Sequence, residues 1–259
     1  MHQLVRRYAR SIHSAADPQA GLDVLSSAAI EFGFAGVSCS LWPLACGSAA
    51  EPPAPGVLLS ASHTGQVQAG WHADYLRTGR FKADPCYGPC RAFTGPIVWS
   101  LDGAPEIIRG HPASALQLRG METLYRQTGL RGGIAVPLRA PGSWFGYFSY
   151  ASTGSLDWLL ARQEDVGDHL LSLTYRYYET MADRLTALAA RQNGLSRQEL
   201  ECLTLLAIGR TVREIARVCG LPYSTVRLRL HSVEAKLKVR GRAQAIARAG
   251  SLGLFNRLG

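Results

Sequence analysis

The sequence predicts an α+β domain followed by a smaller all-α domain, with the join near residues 191–195. Three observations predict this. Two apolar, β-rich runs, GGIAVPLRA and WFGYFSYAS, are joined by the short turn signal APGS and read as an antiparallel hairpin. From Asp157 to about Ala190 a helical pattern runs without proline, with Leu159, Val166, Leu170, Leu173, Tyr177 and Met181 at its apolar positions. Gly194 in RQNG stops it, and everything beyond keeps a helical period in four short pieces.

Residues 1–34 read as helices, because Tyr8, Ile12, Leu22, Leu25, Ala29 and Phe32 recur at three- to four-residue intervals. VSCSLWPL and GVLLSAS read as strands, separated by the Pro-, Gly- and Ala-rich loop CGSAAEPPAPG. Helical pattern resumes around Gln68–Thr78. No internal repeat is present at a solenoid period.

In the last quarter, SRQELECLTLLAIG opens with Ser196 as N-cap and Glu199 three residues on, a capping-box pattern. Leu200, Leu203 and Leu206/Ala207 form its expected buried stripe, and Gly209 ends it. TVREIARVCG is a second helix with Ile215 and Val218 expected inward. After GLP, PYSTVRLRLHSVEAKLKV is a third, with Pro222 at its start, where a missing N–H leaves no bond unmade. GRAQAIARAG is a fourth. Two short helices, a glycine turn and a basic third helix form a helix-turn-helix pattern.

Val226, Leu230, Val233 and Leu237 fall on the core face of that third helix. Ser224, Leu228, His231 and Ser232 lie opposite, with Arg227 and Arg229 on the flanks, and this face suits a major groove. Arg227 pairs with guanine or phosphate and His231 donates to a base or phosphate. Arg229, Lys236 and Lys238 suit the backbone.

Charge supports a polyanion partner. The net charge is +9, and residues 195–259 hold 12 Lys/Arg against 4 Asp/Glu, whereas the first 194 hold 16 against 15. Apolar content of 47% with 18% charged residues argues against disorder. No apolar run approaches the roughly 18 residues of a membrane span, and the N-terminus lacks a secretory pattern, so a cytoplasmic protein with no membrane partner is expected. Six cysteines are scattered, and the C-x3-C of Cys86 and Cys90 has no second pair at finger spacing. They read as reduced, small apolar residues, and no metal or cofactor is expected.

At these residues the C-terminal domain resembles the DNA-binding domain of LuxR-type transcription regulators. Glu199, Leu203 and Gly209 meet the family's spacing, as do Glu214–Ala216, Thr225–Val226 and Lys236–Leu237, over about 60 residues. Pro222 stands where members often have Ser, which removes a cap, and Arg229 where they often have His. The resemblance implies that the third helix, with Ser224, Thr225, Arg227, Leu228, Arg229, His231, Lys236 and Lys238, meets double-stranded DNA.

The stretch WHADYLRTGRFKADP then looks like the autoinducer-binding domain of quorum-sensing members, which bind N-acyl homoserine lactones. Trp71, Tyr75, Asp84 and Pro85 meet the spacing W-x3-Y-x8-D-P, Trp99 is the later Trp, and Gly133 is the Gly before a strand and Pro. The ligand has an amide N–H, two carbonyls and an apolar tail, and each polar group needs a partner in a dry pocket. The resemblance gives Asp84 the amide N–H and Trp71 the lactone carbonyl. Tyr75 and Trp99 then pack round the lactone and chain. Taken without that context, an Asp before Pro85 would simply cap its loop.

Where members often carry a Tyr hydroxyl for the acyl carbonyl, this chain has Val67. Tyr147 and Ser149 share one face of the second hairpin strand, so either could replace it, and the bulk of Tyr147 would reshape the tail pocket. Tyr147 could equally be an ordinary core tyrosine.

The implied architecture is an α/β/α sandwich with an antiparallel sheet over residues 1–190, a linker at 191–194 and a four-helix DNA-binding domain at 195–259. A homodimer formed partly through the long helix would read a roughly two-fold symmetric site, with RNA polymerase a further candidate partner. An alternative is the same architecture responding to a non-lactone small molecule. An enzyme is disfavoured, because the sequence has no nucleophile elbow, phosphate loop or His/Cys/Asp cluster.

Overall fold

The computed structural model describes residues 2–43, 57–62, 78–79, 84, 86–102, 128–139 and 144–255. Two helices, α1 (His2–His13) and α2 (Pro18–Glu31), precede strands β1 (Gly36–Pro43) and β2 (Val57–Ser62). Asp17 caps α2 by accepting from Ala20 N, and Pro18 stands where a missing N–H is harmless. A short helix α3 (Tyr87–Ala92) leads into β3 (Ile97–Ser100), then β4 (Gly132–Arg139) and β5 (Trp144–Ser152). The hairpin runs are thus strands as expected, whereas β3 and α3 are too short for periodicity to mark.

The five strands form one antiparallel sheet in the order β2-β1-β5-β4-β3. Alternation sends Cys39, Leu41, Ile134, Val136, Phe148 and Tyr150 to one face, where they meet α2 and the long helix α4 (Leu156–Gln192). Each large apolar side chain buried there stabilises the fold by about 1.5–3 kcal/mol. Two buried hydroxyls are satisfied: Tyr177 donates to Pro18 O at 2.8 Å, and Tyr150 shares a 2.7 Å bond with Thr174. The other face carries Trp42, Trp99, Ala135, Phe145 and Tyr147, with α3 packed over it. This is the expected sandwich.

Helix α4 is 37 residues, about 55 Å at 1.5 Å per residue, and carries the chain to the second domain. Ser155 caps its start and Asn193 its end. No helix among the described residues is long and apolar enough to cross a membrane.

The second domain comprises α5 (Arg197–Ala207), α6 (Val212–Cys219), α7 (Tyr223–Lys236) and α8 (Arg242–Ser251). Both α5 and α6 open on complete capping boxes, Ser196 with Glu199 and Thr211 with Glu214. Gly220 closes α6 at φ +64°, a left-handed conformation that lets the chain turn sharply into α7. Pro222 provides no side-chain cap for α7. Its core is Cys202, Val212, Ile215, Val226 and Leu230.

Of two expectations about that core, one gains a residue and one is corrected. The stripe of α5 centres on Cys202 and Leu203, with Leu200 and Leu206 only partly covered. Val218, expected inward, is 62% exposed. After Ile215 the helix continues its inward face at the i+4 position, Cys219, and Leu221 in the turn completes the packing.

Candidate functional site

Asp84 lies just before α3, and its carboxylate receives donors from two directions. Oδ1 accepts the Cys86 N–H at 2.9 Å, and Oδ2 accepts the Tyr147 hydroxyl at 2.5 Å. The local loop-capping role and a long-range bond therefore coexist on one side chain. Tyr147 is 3% exposed, in mid-strand on β5. Its ring lies 5.6 Å from that of Trp42, which also contacts Tyr87 at 5.0 Å and Phe145 at 6.1 Å.

Trp99 comes from β3, two strands from β5, yet its Nε1–H donates to Ser149 Oγ at 3.1 Å. Gly133 on the intervening strand permits this. A Cβ there would sit 2.4 Å from Tyr150 O and 2.8 Å from the Trp99 ring. Without one, the indole lies across β4 and reaches β5.

Four expected ligand-site residues, Asp84, Trp99, Tyr147 and Ser149, are thus gathered on one side of the sheet in two bonded pairs. Trp71, Tyr75, Pro85 and Val67 lie outside the described residues. Tyr147 gives its single proton to Asp84 here. Ser149 accepts through Oγ and keeps its own proton to give.

Sequence reasoning missed Trp42, Tyr87 and Phe145, which wall this face. The alternation of VSCSLWPL, with Val37, Cys39 and Leu41 on one face and Trp42 on the other, carried that signal. Cys86 and Cys90 are buried beside Asp84. Burial first, and the Asp84 charge second, push both thiols well above their ordinary range, so they stay neutral and packed.

In the second domain the outer face of α7 is open. Ser224, Arg227, Leu228, His231, Glu234 and Arg242 line a concave surface of about 510 Å³. Leu228 on this face is 69% exposed. Arg227, His231 and Lys238 are exposed and Thr225 is partly covered. Arg229 donates to Gln198 Oε1 at 2.7 Å.

Two residues expected on the DNA side bond back to α5. Ser232 donates to Glu199 Oε1 at 2.6 Å, and Lys236 Nζ reaches both Glu199 oxygens at 2.8 and 2.7 Å. They stand four residues apart on one flank of α7, above the first turn of α5. Burial opposes the Glu199 charge, but bonds from Lys236, Ser232 and Ser196 outweigh it together and hold its carboxyl at about 2.

Comparison with known proteins finds a family model over each domain. Residues 18–180 match the autoinducer binding domain, and residues 193–249 match the bacterial regulatory proteins of the luxR family. The transcriptional activator protein AhyR of Aeromonas hydrophila is 30% identical over 197 residues, covering 73% of this chain and 72% of that protein. The crystal structure of Escherichia coli SdiA superposes with a TM-score of 0.55 at 16% identity, covering 99% of each chain. That of CepR2 from Burkholderia cenocepacia gives 0.52 at 14% identity, over 71% of this chain and 96% of that one. The chain belongs to the LuxR family of bacterial transcription regulators. It is a ligand-responsive, DNA-binding regulator of the quorum-sensing type, whose small molecule is a signal and not a cofactor.

Proposed function

We propose that this regulator binds an N-acyl homoserine lactone in the domain spanning residues 1–190. A linker at 191–194 passes that state to a DNA-binding domain at 195–259. The observation that carries this reading is the meeting of Asp84, Trp99, Tyr147 and Ser149 beside one wall of aromatic rings. Asp84 accepts the ligand's amide N–H, and Ser149 donates to the acyl carbonyl, doing the work of the hydroxyl absent at Val67. Trp71 donates to the lactone carbonyl, with Tyr75 and Trp99 against the ring and chain. Pairing of the long helices makes a cytoplasmic homodimer whose two α7 helices read a roughly two-fold symmetric site, with RNA polymerase a further partner of the bound dimer. Arg227 and His231 read bases, and the exposed Leu228 meets a thymine methyl. The chain acts as a receptor and not as a catalyst.

Two variants test this together. Asp84→Asn is expected to abolish lactone-dependent DNA binding, and Arg227→Ala to abolish DNA binding while calorimetry still records the lactone. Asp84→Asn retaining full lactone affinity would overturn the reading. So would wild-type protein that prefers an unrelated small signal to every acyl homoserine lactone from butanoyl to dodecanoyl.

A further inference from the structure

The second domain touches the first far from the residues that join them. Beyond α8 the backbone turns at Gly253, at φ +68°, and the Leu254 N–H closes the turn on Ala249 O at 3.0 Å. This turn lies against the indole of Trp144, the first residue of β5. A Cβ on Gly253 would sit 3.0 Å from both Cε2 and Cζ2 of that ring. Trp144 is fully buried, and Leu254 and Phe255 are buried in the same apolar cluster. Trp144 is part of the sheet, opposing Pro43 on β1, and the next residues of its strand, Phe145 and Tyr147, wall the aromatic face. One strand thus carries both the aromatic wall and a seat for the second domain. The seat leaves the outer face of α7 clear, with Arg227, Leu228 and His231 exposed. It is also able to open. The Trp144 indole N–H is buried without an acceptor among the described residues, and water would take it if the turn lifted.

We infer that Trp144 and the turn Gly253–Phe255 are positioning residues for DNA binding: the turn, seated on the indole, fixes the direction in which α7 faces DNA. This rests on DNA binding by the second domain and not on the identity of the signal. Residues 193–196, between α4 and α5, are a single covalent join about which a domain can turn. The contact at residues 144 and 253 removes that freedom. A domain already held in place loses less orientational freedom when it docks, so its affinity for a specific site is higher. Because the DNA face stays clear, the contact orients that face and does not block it.

The test compares the full-length protein with Gly253→Val, whose side chain meets the indole, and Trp144→Leu, which removes most of the seat without touching the second domain. In both variants tryptic cleavage at Arg191 and Arg197, exposed on either side of the join, is expected to quicken several-fold, and the radius of gyration from small-angle scattering to rise. These two measurements need neither DNA nor signal. Affinity is then measured for a duplex that the wild type selects from random sequence and for mixed-sequence DNA at the same salt. The first should fall by about 10-fold. The second, held by charge alone, should stay within about 2-fold, whereas a damaged second domain would lose both. Unchanged cleavage and radius overturn the seat. Loosened domains with undiminished affinity for the selected duplex, or an equal loss on both DNAs, overturn the positioning role. Where either variant is insoluble, Gly253→Ala, whose methyl meets the indole at 3.0 Å, takes its place under the same criteria.

Discussion

At the scale of single residues, the aromatic outer face of the sheet depends on what is missing at Gly133. Trp99 reaches Ser149 only because β4 presents a bare Cα beneath the indole. In Gly133→Ala the new methyl would meet the Tyr150 carbonyl at 2.4 Å and the indole at 2.8 Å. Backbone and ring must both shift, which costs about 1–3 kcal/mol as overpacking does elsewhere. Denaturant unfolding should show that loss, and indole fluorescence should change because Trp99 leaves its partner. A variant with wild-type stability and fluorescence would refute this account of Gly133. The sequence placed Asp84, Trp99 and Ser149 in the site, but not Trp42, Tyr87 or Phe145. A strand's alternation says which residues share a face; it does not say what covers that face.

At the scale of elements, α5 and α7 are clamped by Glu199. This residue closes its own helix's capping box through Ser196 and receives Ser232 and Lys236 from α7. Its folded carboxyl titrates at about 2, below the ordinary 4.5. A depressed carboxyl adds stability that is fully present above about pH 4.5 and disappears as pH falls toward 2. Acid unfolding of the second domain is therefore expected to follow this group. Glu199→Gln should flatten the stability profile between those values while lowering stability at neutral pH. Lys236→Met removes the counter-charge while Ser232 and Ser196 still bond the carboxylate, and because Lys236 is partly solvated it should destabilise at neutral pH by about 1 kcal/mol. An unchanged acid profile in Glu199→Gln would show that other groups control it. Sequence spacing marked Glu199 as a cap, because capping is local. Its pairing with Lys236, 37 residues away, follows from the crossing of two helices.

At the scale of the whole molecule, charge divides the chain into a nearly neutral signal-binding part and a strongly basic DNA-binding part. Operator affinity should fall steeply with salt, each phosphate contact adding about 0.9 to the slope of log affinity against log salt concentration. Both lysines are exposed, but Lys236 is paired with Glu199. Lys238→Ala is thus expected to reduce the slope by about 0.9 per protomer, and Lys236→Met to leave it almost unchanged. Equal effects of the two substitutions in a salt titration would show that Lys236 leaves Glu199 when DNA binds.

By itself the sequence determined whatever local chemistry controls. The capping box at Ser196, the turn at Gly220, the hairpin strands and the basic last quarter all rest on residues within a few positions of one another. Only the tertiary structure decided which donors meet which acceptors. Tyr147 finds Asp84, Trp99 finds Ser149 and Lys236 finds Glu199 across 63, 50 and 37 residues. Those meetings follow from strand order and helix crossing. Hydrophobic periodicity fixes the face of an element but leaves its neighbours open, and a buried charge is satisfied by whichever donor the fold brings to it.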